Sequence, residues 1–124
     1  MIWIESMDFV TEINKLTAAY PKHEMFGLSS QTQRAAVSIP LNISEGSAKL
    51  SNNDFSGFLR FSLGSSRELE TALIITKNLS YISEEDLTDK HIKINELQEM
   101  MTKFKDNLES KVNVFYSNVY HLII

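Results

Sequence analysis

Three histidines, two adjacent serines and a run of mixed polar residues are where this sequence could carry chemistry. His23, His91 and His121 are the only imidazoles, and a zinc site would want two of them at i, i+4 in His-Glu-x-x-His. No such pair exists. Carboxylate-bridged metal sites in helical bundles use Glu-x-x-His on facing helices, but Thr88 precedes His91 by three and Asn118 precedes His121 by three. The run GSSRE, Gly64 to Glu68, sets two serines beside an arginine and a glutamate, with no base to activate a hydroxyl. Neither a glycine-rich phosphate loop nor a Gly-x-Ser-x-Gly elbow occurs. The expectation is a non-enzymatic chain: no catalytic residue, no metal ligand set and no cofactor.

A second polar group lies within RAAVSIPLNISEG, Arg34 to Gly46. Arg34, Ser38, Leu41 or Asn42, Glu45 and Lys49 follow one helical line, beside the apolar line of Ala36, Ile39 and Ile43. Farther on, Arg60, Arg67, Glu68 and Glu70 belong to a segment that should pack nearby. A carboxylate drawn into a bundle needs a partner, so Arg34, Arg60 or Arg67 should pair with Glu45, Glu68 or Glu70. Asn42, Glu45, Glu68 and Glu70 are then a polar seam that sets helix register or opens onto a subunit interface. Arg34, Lys49, Arg60 and Arg67 are the candidates for a surface that meets nucleic acid or another partner.

The elements that must hold these residues read as four helices. Ile2, Phe9, Val10, Ile13, Leu16 and Tyr20 form a helical stripe that Pro21 stops. After a loop ending in Gly27 and Leu28, Ser29 or Ser30 can cap a second helix, with Gly46 as its C-cap. Helical spacing continues through Pro40, so the proline marks a kink inside that helix; the carbonyl it frees, that of Ala36, could take a bond from Ser44 or water. Ser51, Asn52 or Asn53 caps the third helix, whose apolar line is Phe55, Phe58 or Leu59, Ser62, Leu69, Leu73, Thr76 and Leu79. Gly57, Gly64, Ser65 and Ser66 interrupt it with small residues that would let a neighbour approach. Ser83 caps the last helix, where Ile94, Leu97, Met101, Phe104, Leu108, Val112, Phe115, Val119 and Leu122 keep a narrow seam. Helical from Glu84 to Leu122, it would be about 58 Å long, more than the first helix can match. Its end either frays or reaches another subunit, and the apolar tail VNVFYSNVYHLII should pack on something.

Composition fits one domain over 1–124, with 43% hydrophobic and 23% charged residues. Four glycines and two prolines leave too few turns for a many-stranded β fold. The absence of cysteine rules out disulfides and thiolate sites. No basic leader opens MIWIESMDF and no apolar run approaches a membrane span, so a cytoplasmic protein without membrane contact is expected. A net charge of −4 gives one copy no field to attract nucleic acid, although copies in a ring could gather a few positive charges.

Two long stretches resemble a known family. YPKHEMFGLSSQTQRAAVSIPLNISEG, Tyr20 to Gly46, and DFSGFLRFSLGSSRELETALIITKNLSYI, Asp54 to Ile82, with Trp3 ahead of them, are similar to the four-helix-bundle proteins first noticed in intervening sequences of 23S ribosomal RNA genes. The resemblance implies an all-α, up-down antiparallel four-helix bundle assembling into a ring-like homopentamer. It also implies kinship with the accessory protein of diversity-generating retroelements, a basic pentamer that works with a reverse transcriptase and nucleic acid. RNA, DNA or a reverse-transcriptase-like protein is therefore the implied partner class. The family brings no catalytic residues. This chain departs from its pattern in lacking a lead-in before Trp3, in Gln33 where the family has arginine, and in Lys49 near a frequent arginine. The last two lower the positive charge. The alternatives are a protein-only module that uses Trp3 or the apolar tail, and a small-ligand binder or enzyme with a site in the bundle core.

Overall fold

The computed structural model describes residues 1–110; the tail from Val112 and the last four seam positions, Val112, Phe115, Val119 and Leu122, lie outside the described residues. Four helices account for nearly all of it: α1 (Ile2–Thr17), α2 (Leu28–Ser47), α3 (Asn52–Asn78) and α4 (Glu84–Ser110), with a single 3-10 turn at Lys22–Glu24. Among the described residues there is no strand.

Neighbours in sequence are neighbours in space, and every neighbouring pair runs antiparallel. Thr17 near the end of α1 meets Gln33 near the start of α2. Ser38 of α2 meets Ser65 of α3, and Ser66 of α3 meets Gln98 of α4. Glu12 of α1 meets Lys90 and Lys93 of α4, which closes the up-down-up-down bundle. α3 packs closely on both α2 and α4, whereas α1 and α4 touch along a short stretch. The core is the set of apolar lines the spacing lays down: Phe9 and Ile13, Ile39 and Ile43, Phe55, Leu59, Leu69 and Leu73, then Ile94, Leu97, Met101, Phe104 and Leu108. Burying an aliphatic or aromatic side chain contributes roughly 1.5–3 kcal/mol, and on these faces that gain decides the helix orientations.

Helix ends follow local chemistry. Ser51 is extended and its hydroxyl accepts from the Asp54 N–H at 3.1 Å; Ser83 accepts from the Asp86 N–H at 3.0 Å. Both caps are as expected. α3 ends with Ser80 in the left-handed region at φ 66°, where the N–H of Tyr81 reaches the Thr76 carbonyl and that of Ser80 reaches Lys77. This is the six-to-one, five-to-two closure usually given to glycine.

Four expectations need correction. Neither Ser29 nor Ser30 caps α2. The helix starts at Leu28, and its N–H donates to the Glu24 carboxylate at 3.2 Å. Gly46 is not a C-cap: it lies inside α2, and Ala48 follows the last turn without a positive φ. Its role is proximity, since a Cβ there would lie 2.7 Å from the Phe58 Cβ. Gly57 and Gly64, expected to admit a neighbour, face open space. Close packing falls instead to Ser62, Ser65 and Ser66, all buried. Leu79, placed on the core line, is the α3 C-cap and is half exposed.

α2 continues through Pro40. Ser62 of α3 donates to the carbonyl of Ile39, the residue before the proline, at 3.0 Å, which ties this part of α2 to α3. Tyr20 poses a different problem. Its hydroxyl is the one buried side-chain polar atom without a hydrogen bond among the described residues. Burial raises its pKa, and the nearby Thr76 and Thr32 hydroxyls temper the rise; those hydroxyls themselves donate to the carbonyls of Ala72 and Leu28. Removing a buried donor that lacks a partner removes its desolvation cost. Tyr20→Phe is accordingly expected to leave stability unchanged or raise it by up to about 1 kcal/mol, read by urea denaturation.

Candidate interaction surface

The polar seam divides between two grooves. On the outer side of the α2–α3 pair, Gln31 donates to Glu68 at 2.8 Å and Ser65 donates to Ser38 at 2.8 Å. Asn42 turns back within α2 to the Ser38 carbonyl at 2.8 Å and hydroxyl at 3.0 Å. The Gln31–Glu68 and Ser65–Ser38 bonds fix how far α2 slides along α3. Glu45 is exposed on α2. Glu70 faces the other way, toward α4, where it lies 3.3 Å from His91 and 3.4 Å from Arg67.

The four basic residues do not share one face of a subunit. Arg60 forms an ion pair with Glu109 of α4, a partner that no short-range spacing identifies. Ser56 donates to the same carboxylate at 2.5 Å. Its pKa is held below the ordinary glutamate value by the Ser56 hydroxyl first, then by Lys105 and Arg60. Arg67 sits on the same side of α3, paired with Glu70 one turn on. Lys49, just beyond α2, lies 5.1 Å from the ring centre of Phe58. Arg34 projects from the outer face of α2 in a shallow groove with Val10, Asn14, Ser30, Gln33 and Val37. Of the expected pairings of Arg34, Arg60 or Arg67 with Glu45, Glu68 or Glu70, the structure forms Arg67–Glu70.

Next to Arg34 lies a surface that the polar residues gave no hint of. Trp3, Met7 and Val10 of α1 and Val37, Pro40, Leu41 and Ser44 of α2 line a groove without a charged side chain. Leu41 is 60% exposed. The sequence does carry a signal: Val37 and Leu41 are apolar residues lying off the core line of α2. The groove on the opposite flank, between α1 and α4, contrasts with it. Glu5, Asp8, Glu12 and Glu96 line it with Phe9, Leu97 and Met100, and Lys93 pairs with Glu12 there.

At the far end, the turn before α2 is tied to the turn before α4. Glu24 accepts from the Leu28 N–H and from the Tyr81 hydroxyl, the latter at 3.0 Å, and His23 lies 3.3 Å from the same hydroxyl. The backbone N–H of Leu28 first, and then Tyr81, lower the Glu24 pKa, while burial first and then Glu24 raise that of Tyr81. A depressed folded-state pKa means that the carboxylate stabilises the fold above its unfolded value of about 4.3, and that this contribution fades as pH falls through the folded value. Glu24→Gln should therefore lower Tm at pH 7. The gap to the parent chain should close on titration below about pH 4, as followed by thermal melts.

No group of three or more His, Cys, Asp or Glu among the described residues is arranged to hold a metal ion, and none of their helices is long and apolar enough to cross a membrane. Comparison with known proteins places the architecture. A crystal structure at 1.70 Å of a protein of unknown function from the S23 ribosomal protein family of Bacteroides thetaiotaomicron VPI-5482 superposes with a TM-score of 0.78. It is 24% identical, and the match covers 85% of this chain and 98% of that one, a likeness of fold. No curated protein matches the sequence. The profile of the 23S rRNA-intervening sequence proteins matches residues 1–103, which takes in α1, α2, α3 and most of α4, and the chain belongs to that family.

Proposed function

We propose that this protein is a non-enzymatic, cytoplasmic interaction scaffold that works as a ring-like homo-oligomer, a pentamer in the reading the sequence resemblance implies. The observation that carries it is the uncharged groove between α1 and α2, whose apolar side chains are left open on a single copy. A groove of this kind suits a protein surface better than a small polar substrate. In this reading α2 is bent at Pro40, as a proline inside a helix demands, and the bend shapes the outer face carrying Val37 and Leu41. Light scattering across a range of concentrations tests the assembly. A constant multiple of the 14.2 kDa chain mass is expected, and a monomer at every concentration would overturn it.

Nucleic acid, or an enzyme that handles it, is the partner class we assign to the ring. Arg34 supports this reading, as an exposed cation at the rim of the groove. Repetition around a ring converts one weak contact per subunit into avidity. Labelled RNA and DNA should bind the intact oligomer with an affinity that falls as salt rises. Arg34→Glu and Lys49→Glu, which break no ion pair described above, should weaken binding of all sequences alike. Binding that is absent, or indifferent to salt, would defeat this assignment and leave a module directed to protein alone.

A further inference from the structure

We propose that residues 111–124 of one copy occupy the α1–α2 groove of a second copy. This rests on the self-association proposed above and supplies its joint. Three observations support it.

First, the described part of α4 comes within about a turn of the end of its own bundle. Glu109 is bonded to Ser56, close to the start of α3; Trp3 of α1 and Ser44 of α2 line the groove toward the same end; and Gly46 abuts Phe55 and Phe58 there. α1 and α3 begin and α2 ends close to this level, so a segment that follows Ser110 in sequence has little further length of its own bundle to cover it.

Second, segment and groove match in chemistry. Residues 111–124 contain one lysine and no carboxylate. Val112, Phe115, Val119 and Leu122 extend the 3, 4 spacing of the α4 seam. The acidic groove between α1 and α4 offers such a segment carboxylates, the α2–α3 groove near Leu28 presents Arg67 and Glu68, and the α3–α4 groove presents Arg67, Glu99 and Lys103. The groove at Trp3 presents no charge.

Third, a between-copy arrangement fits better than a return to the same chain. The groove of the same copy lies on the far side of α1, so a segment leaving α4 would have to reverse around the end of the bundle. No glycine or proline occurs after Gly64, and those are the residues that make reversal cheap. A donor segment and an acceptor groove at different places on each copy form a heterologous contact, which propagates head to tail and closes into a ring when the rotation permits.

The test uses the full chain. Leu41→Glu changes an exposed groove residue, and Val119→Glu changes the segment. Each is expected to reduce the light-scattering mass to that of one 14.2 kDa chain. Each should also shift the emission of Trp3, the only tryptophan, to the red, with helical circular dichroism retained. Ile74→Glu, on an exposed part of α3 away from the groove, should leave mass and emission unchanged. Because the chain has no cysteine, Leu41→Cys and Val119→Cys prepared separately and mixed should give a disulfide between copies. A parent chain that is oligomeric and stays so in both charged variants would overturn this inference and leave self-association standing. A monomeric parent would overturn both. A doubly substituted chain that closes its disulfide within one copy would show the segment folded on its own groove and defeat the between-copy joint.

Discussion

Phe55→Ala should lower stability by about 4 kcal/mol, within the 3–5 kcal/mol usual for emptying a buried phenylalanine site. Phe55 has no exposed surface. Its ring meets Phe104 of α4 edge-on at a centroid distance of 5.0 Å, and Gly46 of α2 rests on its other side. One side chain thus joins three helices, and alanine would remove its aromatic contact and leave a cavity that helices held by serine bonds on either side are poorly placed to close. Urea denaturation at fixed protein concentration is the measurement. A loss under about 2 kcal/mol, the low end for large-to-small changes in a core, would mean that the bundle end repacks freely.

The reverse error, adding volume, should be nearly as costly at Gly46. Gly46→Val is expected to cost about 3 kcal/mol, at the upper end of ordinary overpacking. A Cβ at this position would lie 2.7 Å from the Phe58 Cβ and 3.0 Å from the Phe55 Cδ1. The first of these atoms is anchored to the α3 backbone and cannot swing away. Alanine gains about 1 kcal/mol in helix propensity over glycine, yet Gly46→Ala should still destabilise because the clash begins at Cβ. The controls lie on α3. Gly57→Ala and Gly64→Ala place a methyl in open space and should each stabilise by roughly 0.5–1 kcal/mol. The same glycine-to-alanine change, with the same gain in helix propensity, would thus give opposite signs at Gly46 and at Gly57 or Gly64, which only packing explains. Combining Gly46→Ala with Phe55→Leu should cost somewhat less than the sum of the two, since the smaller side chain relieves the Phe55 part of the clash and leaves the Phe58 part.

The periodic features of this fold are legible in the sequence, and the features that depend on azimuth are not. Ile94, Leu97, Met101, Phe104 and Leu108 can be read as one seam because their spacing alone points them the same way. Ser51 and Ser83 can be read as caps because the bond they accept is local. Gly46, Gly57 and Gly64 look alike in a sequence. What separates them is which side of its helix each occupies and how near the next helix comes. Glu24 was hidden for a related reason: its carboxylate reaches forward four residues, so the serines that follow Gly27 looked like better caps. The surface divides in the same way. Arg67–Glu70 is one turn of helix and could be anticipated, whereas Arg60–Glu109 joins residues 49 positions apart and depends on how α3 and α4 register. The uncharged groove is not legible in the sequence because Trp3, Met7 and Val10 come from one helix and Val37 and Leu41 from another, and neither set is unusual alone.

The thin contact between α1 and α4 has a consequence for the order in which the molecule opens. α3 is held on both sides by packing and by buried serine bonds, but α1 is tied to α4 largely through Glu12 and its two lysines at the rim of an acidic groove. Ion pairs at a solvent-reached rim such as the partly exposed Lys93–Glu12 pair contribute little and are weakened by salt. Amide protons of α1 should therefore exchange with solvent deuterium through a partial opening that leaves α2, α3 and α4 protected, and added salt should hasten that exchange more than exchange from α3. Each such opening takes away the wall of the groove that carries Trp3, so its lifetime would set how long the joint between copies can hold.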